Sequence, residues 1–224
     1  MRVVVKLGGH AFPLKLDAEG LAGFVRVFRK LRAMGHELVV VAGGGAGARS
    51  YIEAARGLGA NEAVCDQFGI EVARLNAELL VVGFGGDAYP VVPACLEEFR
   101  VAFESGKIVV LGGLLPGQST DAVAALISEL VGADIMIKAT DTEGVFTADP
   151  KRDPKAKKLE KISYKEFKKM VSEKSVKAGE YELLDLVALR ILERSKTRLR
   201  VVDGRDPRNI ERAVKGEKVG TLVT

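Results

Sequence analysis

Short apolar runs rich in β-branched residues recur along the chain, and each ends in glycine: "RVVVKL" before Gly8-Gly9, "ELVVVA" at 37–42 before Gly43, and "KIVVLG" at 107–112. Runs of this kind read as strands buried on both faces. Between them the apolar spacing becomes helical. In "DAEGLAGFVRVFRKLRAMG", Leu21, Phe24, Val25, Phe28 and Leu31 share one face, with Asp17 as the cap and Gly35 as the stop. Further helices are predicted in "AGARSYIEAARGLG", "DQFGIEVARLNAELLVV" and "CLEEFRVAFESG", and "ADIMIKAT" is a fourth strand ahead of the turn-rich "DTEGVFTADP". From Pro150 the character changes to a charged, proline-bearing loop, "DPKRDPKAKKLEKIS". Two helices follow ("YKEFKKMV", "YELLDLVALRILERS"), then a strand "TRLRVVD", a helix "PRNIERAVKG" and a last strand "GTLVT". Alternating strands and helices predict an α/β fold on a mainly parallel sheet. The change at Pro150 predicts two lobes, 1–150 and 151–224, of a single domain.

Composition narrows the function classes. A 224-residue chain with 47% hydrophobic and 29% charged residues suits a soluble globular protein with one sizeable core. No apolar run approaches the length of a membrane span, and "MRVVVKLGG" reads as a strand rather than a cleavable signal. Cys65 and Cys95 are far apart and suggest neither a disulfide framework nor a zinc site, so a reducing cytoplasm is expected. The net charge of +4 has much of its excess between Lys151 and Lys177, mixed with acids and without interleaved aromatics. That is a solvated face, not a nucleic-acid platform. With two histidines, His10 and His36, no phosphate-loop signature and no metal-ligand spacing, what remains is chemistry by positioning and charge neutralisation. Phosphoryl transfer needs just that.

In open α/β sheets ligands sit beyond the carboxyl ends of the strands. Here those ends are Gly8-Gly9, Gly43-Gly44-Gly45, Gly112-Gly113 and Thr140-Asp141, a pattern that suggests a cradle for phosphates. Lys6 lies at the end of an otherwise apolar strand, where a lysine needs negative charge nearby or snorkels to solvent. "GGGAGA" from Gly43 fits the dinucleotide fingerprint, yet Glu62 and Asp66 fall in a helix or its cap rather than at the end of a following strand. Arg49, one turn into the helix, is either an oxyanion clamp or a surface arginine. Asp66 is expected to open a helix at "CDQFG", as a cap or as an acceptor for a substrate hydroxyl. Ser119, Thr120 and Asp121 place a helix start close by, which attracts anions; Asp121 itself caps that helix or organises nearby cations such as Lys6. Phe146 offers a surface for a flat base, or belongs to an ordinary hairpin turn.

Taken together, "KLGGHAF", "VVAGGGAGAR", "CDQFGIEVARLNAELL", "PGQSTDAVAALISELVGADIMIKATDTEGVFTADPKRDP", "ELLDLVALRILERSKTRLRVVDG" and "KGEKVGTLV" resemble the amino-acid kinase family, and within it the uridylate-kinase branch. The resemblance implies an αβα sandwich and direct transfer of the γ-phosphoryl of Mg-ATP to UMP. It places Lys6, Leu7, Gly8, Gly9 and His10 along the ATP phosphates, with Gly45 and Arg49 completing the clamp. Thr140, Phe146 and Asp149 hold the adenosine part; Gly44, Asp66, Leu114, Leu115, Pro116, Gly117, Gln118, Ser119 and Thr120 hold UMP. Lys6 and Asp121 are then the catalytic pair, magnesium rides on ATP without protein ligands, and a hexamer built from dimers is implied. Asp141, Thr142, Glu143 and His10 depart from the family's usual residues. The rival readings are a kinase of the same fold acting on a small acid such as acetylglutamate, a non-catalytic nucleotide or oxyanion binder, and a dinucleotide-dependent dehydrogenase. "YELLDLVAL", where acetylglutamate kinases carry a glycine-rich segment with a second lysine, favours the uridylate type.

Overall fold

A computed structural model describes residues 1–150, 153–174 and 184–224. The apolar runs become strands β1 (Arg2–Leu7), β2 (Glu37–Ala42), β3 (Val109–Leu111) and β4 (Ile135–Thr140), followed by β5 (Lys161–Ile162), β6 (Arg198–Asp203) and β7 (Thr221–Val223). Among the described residues they form one seven-stranded sheet in the order β3-β2-β1-β4-β6-β7-β5. Every pairing is parallel except β6 with β7. The helices are α1 (Ala18–Ala33), α2 (Gly45–Gly57), α3 (Glu62–Phe84), α4 (Leu96–Glu104), α5 (Thr120–Leu130), α6 (Tyr164–Lys174), α7 (Leu186–Ser195) and α8 (Arg208–Val214).

Both sheet faces are apolar because successive side chains of each strand point to opposite sides. Val3, Val5 and Leu7 join Phe24, Phe28 and Leu31 of α1, Leu80 and Phe84 of α3, and Ile210 of α8. Val4, Val39, Val41 and Met136 join Phe99 of α4, Val123 and Ile127 of α5, and Leu189 and Leu192 of α7. The result is a helix–sheet–helix sandwich, as expected. No described helix is long and apolar enough to cross a membrane, and Cys65 and Cys95 are both free.

Local chemistry sets most boundaries as predicted. Asp17 caps α1 by accepting from the Glu19 N–H at 3.0 Å, and Gly35 takes the left-handed turn at φ +84° that ends it. Three expectations need correction. α3 does not open at Asp66: Asn61, well before it in the chain, caps the helix by accepting from the Val64 N–H at 3.0 Å, so Asp66 sits within α3. α7 begins at Leu186 because the Asp185 carboxylate caps it, accepting from the Ala188 N–H at 2.7 Å; residues 181–183, expected as its first turn, lie outside the described residues. The charged segment after Pro150 is not all loop, since Lys158 bridges antiparallel to Phe146 and β5 pairs with β7. Its residues 151–152, and Lys177 further on, lie outside the described residues. The sheet itself runs on past this compositional change, with β6 beside β4.

The glycine pair closing β3 also changes meaning. A Cβ built on Gly112 would lie 2.5 Å from the Arg74 nitrogen and 2.6 Å from the Ala73 carbonyl carbon, and one on Gly113 would lie 2.9 Å from the Ile70 side chain. These glycines let α3 lie directly against the strand end; they are packing residues first. Gly112→Ala is therefore expected to destabilise the fold by about 1–3 kcal/mol through forced displacement of α3, measured as a lower midpoint in urea unfolding.

Candidate active site

Because β1, β2, β3, β4 and β6 run parallel, their carboxyl ends share one rim of the sheet. The chain steps from β1 outward through β2 to β3, then returns to place β4 on the other side of β1. That reversal opens a crevice between the loops that leave β1 and β4.

Two lysines stand at this switch point. Lys6 of β1 and Lys138 of β4 are direct register partners, and both are buried. Each shares a sheet face with the residues that meet α5, as Val4 and Met136 do two positions earlier. Asp121, in the first turn of α5, lies between them: Lys138 Nζ reaches Oδ2 at 2.5 Å and Lys6 Nζ lies 3.4 Å from Oδ1. Burial opposes the Asp121 charge, but Lys138 and Lys6 outweigh it and hold the carboxyl below the usual carboxylate range. Burial, assisted by Lys6, lowers Lys138 against the pull of Asp121. Asp121 thus faces two buried lysines at the positive end of α5, with Asp185 near enough to act on Lys138 as well.

Around this triad the glycine loops bring the backbone close. Gly45 takes φ +66°, and a Cβ there would lie 2.2 Å from the Phe12 carbonyl oxygen. Gly8 donates its N–H to the Ala139 carbonyl at 2.9 Å, so the turn after β1 is tied to β4. Buried Asn76 of α3 holds the β2 loop by donating from Nδ2 to the Gly43 and Gly44 carbonyls at 2.9 and 3.2 Å. Arg49 is exposed and reaches over Gly9, its guanidinium 3.5 Å from where a Gly9 Cβ would stand. Gly9, His10, Ala46, Arg49, Thr140 and Asp141 line a cleft of about 430 Å³.

The residues of the expected acceptor side also converge. Asp66 Oδ2 accepts from the Gly117 N–H at 2.7 Å, which joins α3 to the loop at 114–120. Leu114 is buried beneath that loop, whereas Leu115, Pro116 and Gly117 are exposed and Gln118 and Thr120 are partly so. The Gln118 Oε1 is buried without a hydrogen-bond partner. Ser119 caps α5, accepting from the Ala122 N–H at 3.0 Å, and donates its hydroxyl to Asp185, which caps α7. On the other side of β1, Thr140 ends β4, and the half-buried Phe146 and Asp149 follow in the loop beyond it.

A family model described as "Amino acid kinase family" matches residues 1–203. The chain belongs to the amino acid kinase family. Within it, the "Uridylate kinase" of Hyperthermus butylicus is 46% identical over 99% of this chain and 97% of its own length. That of Methanococcoides burtonii is 42% identical over 99% and 94%. The crystal structure of uridylate kinase from Archaeoglobus fulgidus covers both chains fully at 41% identity and a TM-score of 0.90. UMP kinase from Bacillus anthracis, at 22% identity and a TM-score of 0.84 over 100% of this chain and 95% of that one, shares the fold.

In this amino acid kinase, sequence reasoning missed Lys138, Asn76 and Asp185. The signals were present: a lysine in mid-strand in "IMIKAT", an asparagine on the buried face of α3, and an aspartate ahead of an apolar helical run. Asp121→Asn should cost about 3–5 kcal/mol, because it leaves two buried ammonium groups without a counter-charge. The stabilising charge exists above the unfolded carboxylate pKa and is lost as pH falls through the depressed folded value. The gap between wild type and variant in urea unfolding should therefore hold down to about pH 4 and close below it.

Proposed function

We propose that the protein is a uridylate kinase, transferring the γ-phosphoryl group of Mg-ATP to the phosphate of UMP to give UDP and ADP. The observation that carries this is the order of groups along the rim. The loop at 114–120 lies at the end of β3, the Gly44-Gly45 turn at β2, Lys6 to His10 at β1, and Thr140 at β4. Acceptor, phosphates and donor thus follow one another across three strand spacings, roughly 14 Å.

On this reading a UMP phosphate oxygen attacks the γ-phosphorus in line, the bond to the β,γ-bridging oxygen breaks, and ADP leaves with that electron pair. The acceptor is already an anion, so no general base is required. The magnesium that enters with ATP neutralises phosphate charge. Lys6 and Lys138, with the α5 N-terminus, stabilise the charge spread over the transferring group. Asp121 transfers no proton; it supplies the counter-charge to both lysines and aims them. Gly45 and Arg49 hold donor phosphate, Thr140, Phe146 and Asp149 hold the adenosine, and Asp66 with Gly44 and residues 114–120 holds UMP. The full-length likeness to relatives named uridylate kinase supports this acceptor over acetylglutamate or another small acid. The same reading places the enzyme in the cytoplasm, supplying pyrimidine nucleotides.

It also implies a homo-oligomer, a hexamer by family likeness. Phe68, Leu75, Leu79 and Val82 form an exposed stripe at helical spacing along α3, next to exposed Leu14, Leu16 and Tyr51. Apolar surface of this extent is what a second copy covers. Leu75→Glu with Leu79→Glu should give a smaller species in sedimentation; an unchanged mass would place the interface elsewhere.

The activity is tested by ADP release from Mg-ATP against UMP, CMP, N-acetylglutamate, carbamate and isopentenyl phosphate. Turnover with UMP is expected, and turnover with another acceptor instead would overturn the acceptor assignment. Lys6→Ala should lower kcat at least a hundredfold with little change in UMP affinity, reflecting lost transition-state charge stabilisation of about 3 kcal/mol. Asp66→Asn should mainly raise the KM for UMP, both by weakening a substrate contact and by replacing the charged acceptor of the Gly117 N–H with a neutral one. A change confined to the KM for ATP would reverse the two halves of the site.

A further inference from the structure

His10 stands where the glycine loop after β1 meets the end of β6. Its ring packs edge-on against Phe24 of α1, with centroids 6.4 Å apart. A Cβ built on Gly204 would lie 2.5 Å from His10 Nε2, and one on Gly8 would lie 3.0 Å from Nδ1. The imidazole is thus wedged between the turn that follows β1 and the turn that follows β6, and neither neighbour could carry a side chain. Nε2 is buried against the Gly204 backbone. His10 also forms part of the wall of the cleft shared by Gly9, Arg49, Thr140 and Asp141. On its other side lies a cavity of about 500 Å³ lined by Asp17, Glu19, Phe24, Arg26 and Arg205 among others.

We propose that His10 is a positioning residue for the phosphoryl donor that is neutral without nucleotide and takes up one proton from solvent as the donor phosphates enter the cleft. This rests on the reading of that cleft as the ATP-phosphate site. The charges around the ring are divided. Burial disfavours the imidazolium most, and Lys6 on β1 also opposes it; the Gly204 backbone, Asp141 after β4 and Asp203 on β6 favour it. Asp203 is itself held by Arg205, with an N···O distance of 2.6 Å. From the α1 side Asp17 and Glu19 are set against Arg26, and from α2 Arg49 adds positive charge. Net balance leaves the ring below its ordinary pKa. Several phosphate charges arriving beside Gly9 would reverse that balance. Both ring nitrogens then carry hydrogen, Nε2 beside Gly204 and Nδ1 beside Gly8, and the cation fixes the wall of the cleft against the donor phosphates.

The chain has two histidines, so its histidine Cε1–H signals in proton NMR are two, and His36→Gln assigns them. The wild-type protein is titrated alone and with the magnesium complex of β,γ-imido-ATP, with binding followed separately by calorimetry. The His10 midpoint should rise by about one pH unit on binding, tenfold in proton affinity, while His36 stays put. Correspondingly, the KM for ATP should climb about tenfold between the free and bound midpoints and level off above them. In His10→Gln that rise should vanish. Saturable binding with an unmoved or lowered His10 midpoint overturns the proposal and leaves the donor site standing. Failure of the nucleotide complex to bind overturns both.

Discussion

Two lysines held by one carboxylate at the centre of a parallel sheet constrain most of what surrounds them. Lys6 and Lys138 occupy strand positions where a neighbouring residue would be a buried valine or methionine, and their charge is tolerable there because Asp121 reaches both. For Asp121 to arrive, α5 must start directly over β1 and β4. Ser119 sets that start by capping the helix, and its hydroxyl ties the cap to Asp185 at the head of α7. The loop at 114–120 is then pinned between the cap and Asp66 of α3. One buried charge cluster therefore determines where two helices begin and where the loop between β3 and α5 can run.

Glycine has two duties along the rim, and the structure separates them. Gly112 and Gly113 allow α3 to press on the end of β3, while Gly8, Gly44 and Gly45 bring the backbone of neighbouring loops into contact beside the lysines. In the proposed reaction the ammonium groups and the α5 N-terminus would attract the phosphates, and the glycines provide close approach. That division explains why a fingerprint resembling a dinucleotide site occurs here without its usual acidic partner. The β2 loop is held by Asn76 from the adjoining helix rather than by an acid at the end of a following strand.

Strand order gives the crevice its polarity. Since the chain reverses at β1, the loops on its β2–β3 side and those on its β4–β6 side are different in character: an exposed, capped loop over α3 on one, and a half-buried turn carrying Phe146 on the other. The proposed reaction needs two unlike nucleotide seats facing one set of cations, and this asymmetry offers them.

The elements themselves were legible from local pattern. β1 and β2 begin and end where the apolar runs do, and Asp17, Gly35 and Ser119 mark helix limits by chemistry confined to a few residues. Lys6, Asp121, Asp66 and the loop at 114–120 could also be picked out, because each is a polar or turn residue in an apolar setting. What local pattern could not provide was pairing across sequence distance. Lys138 becomes part of the site through its register with Lys6, and Asp66 meets Gly117 although 51 positions separate them. β5 is two residues long and exists because β7 offers it an edge. Gly112 looked like part of an anion loop until α3 was placed against it. Helix and strand limits are decided by neighbours in the chain; charge pairing and close backbone contact are decided by neighbours in space, and those appear only when the sheet is assembled.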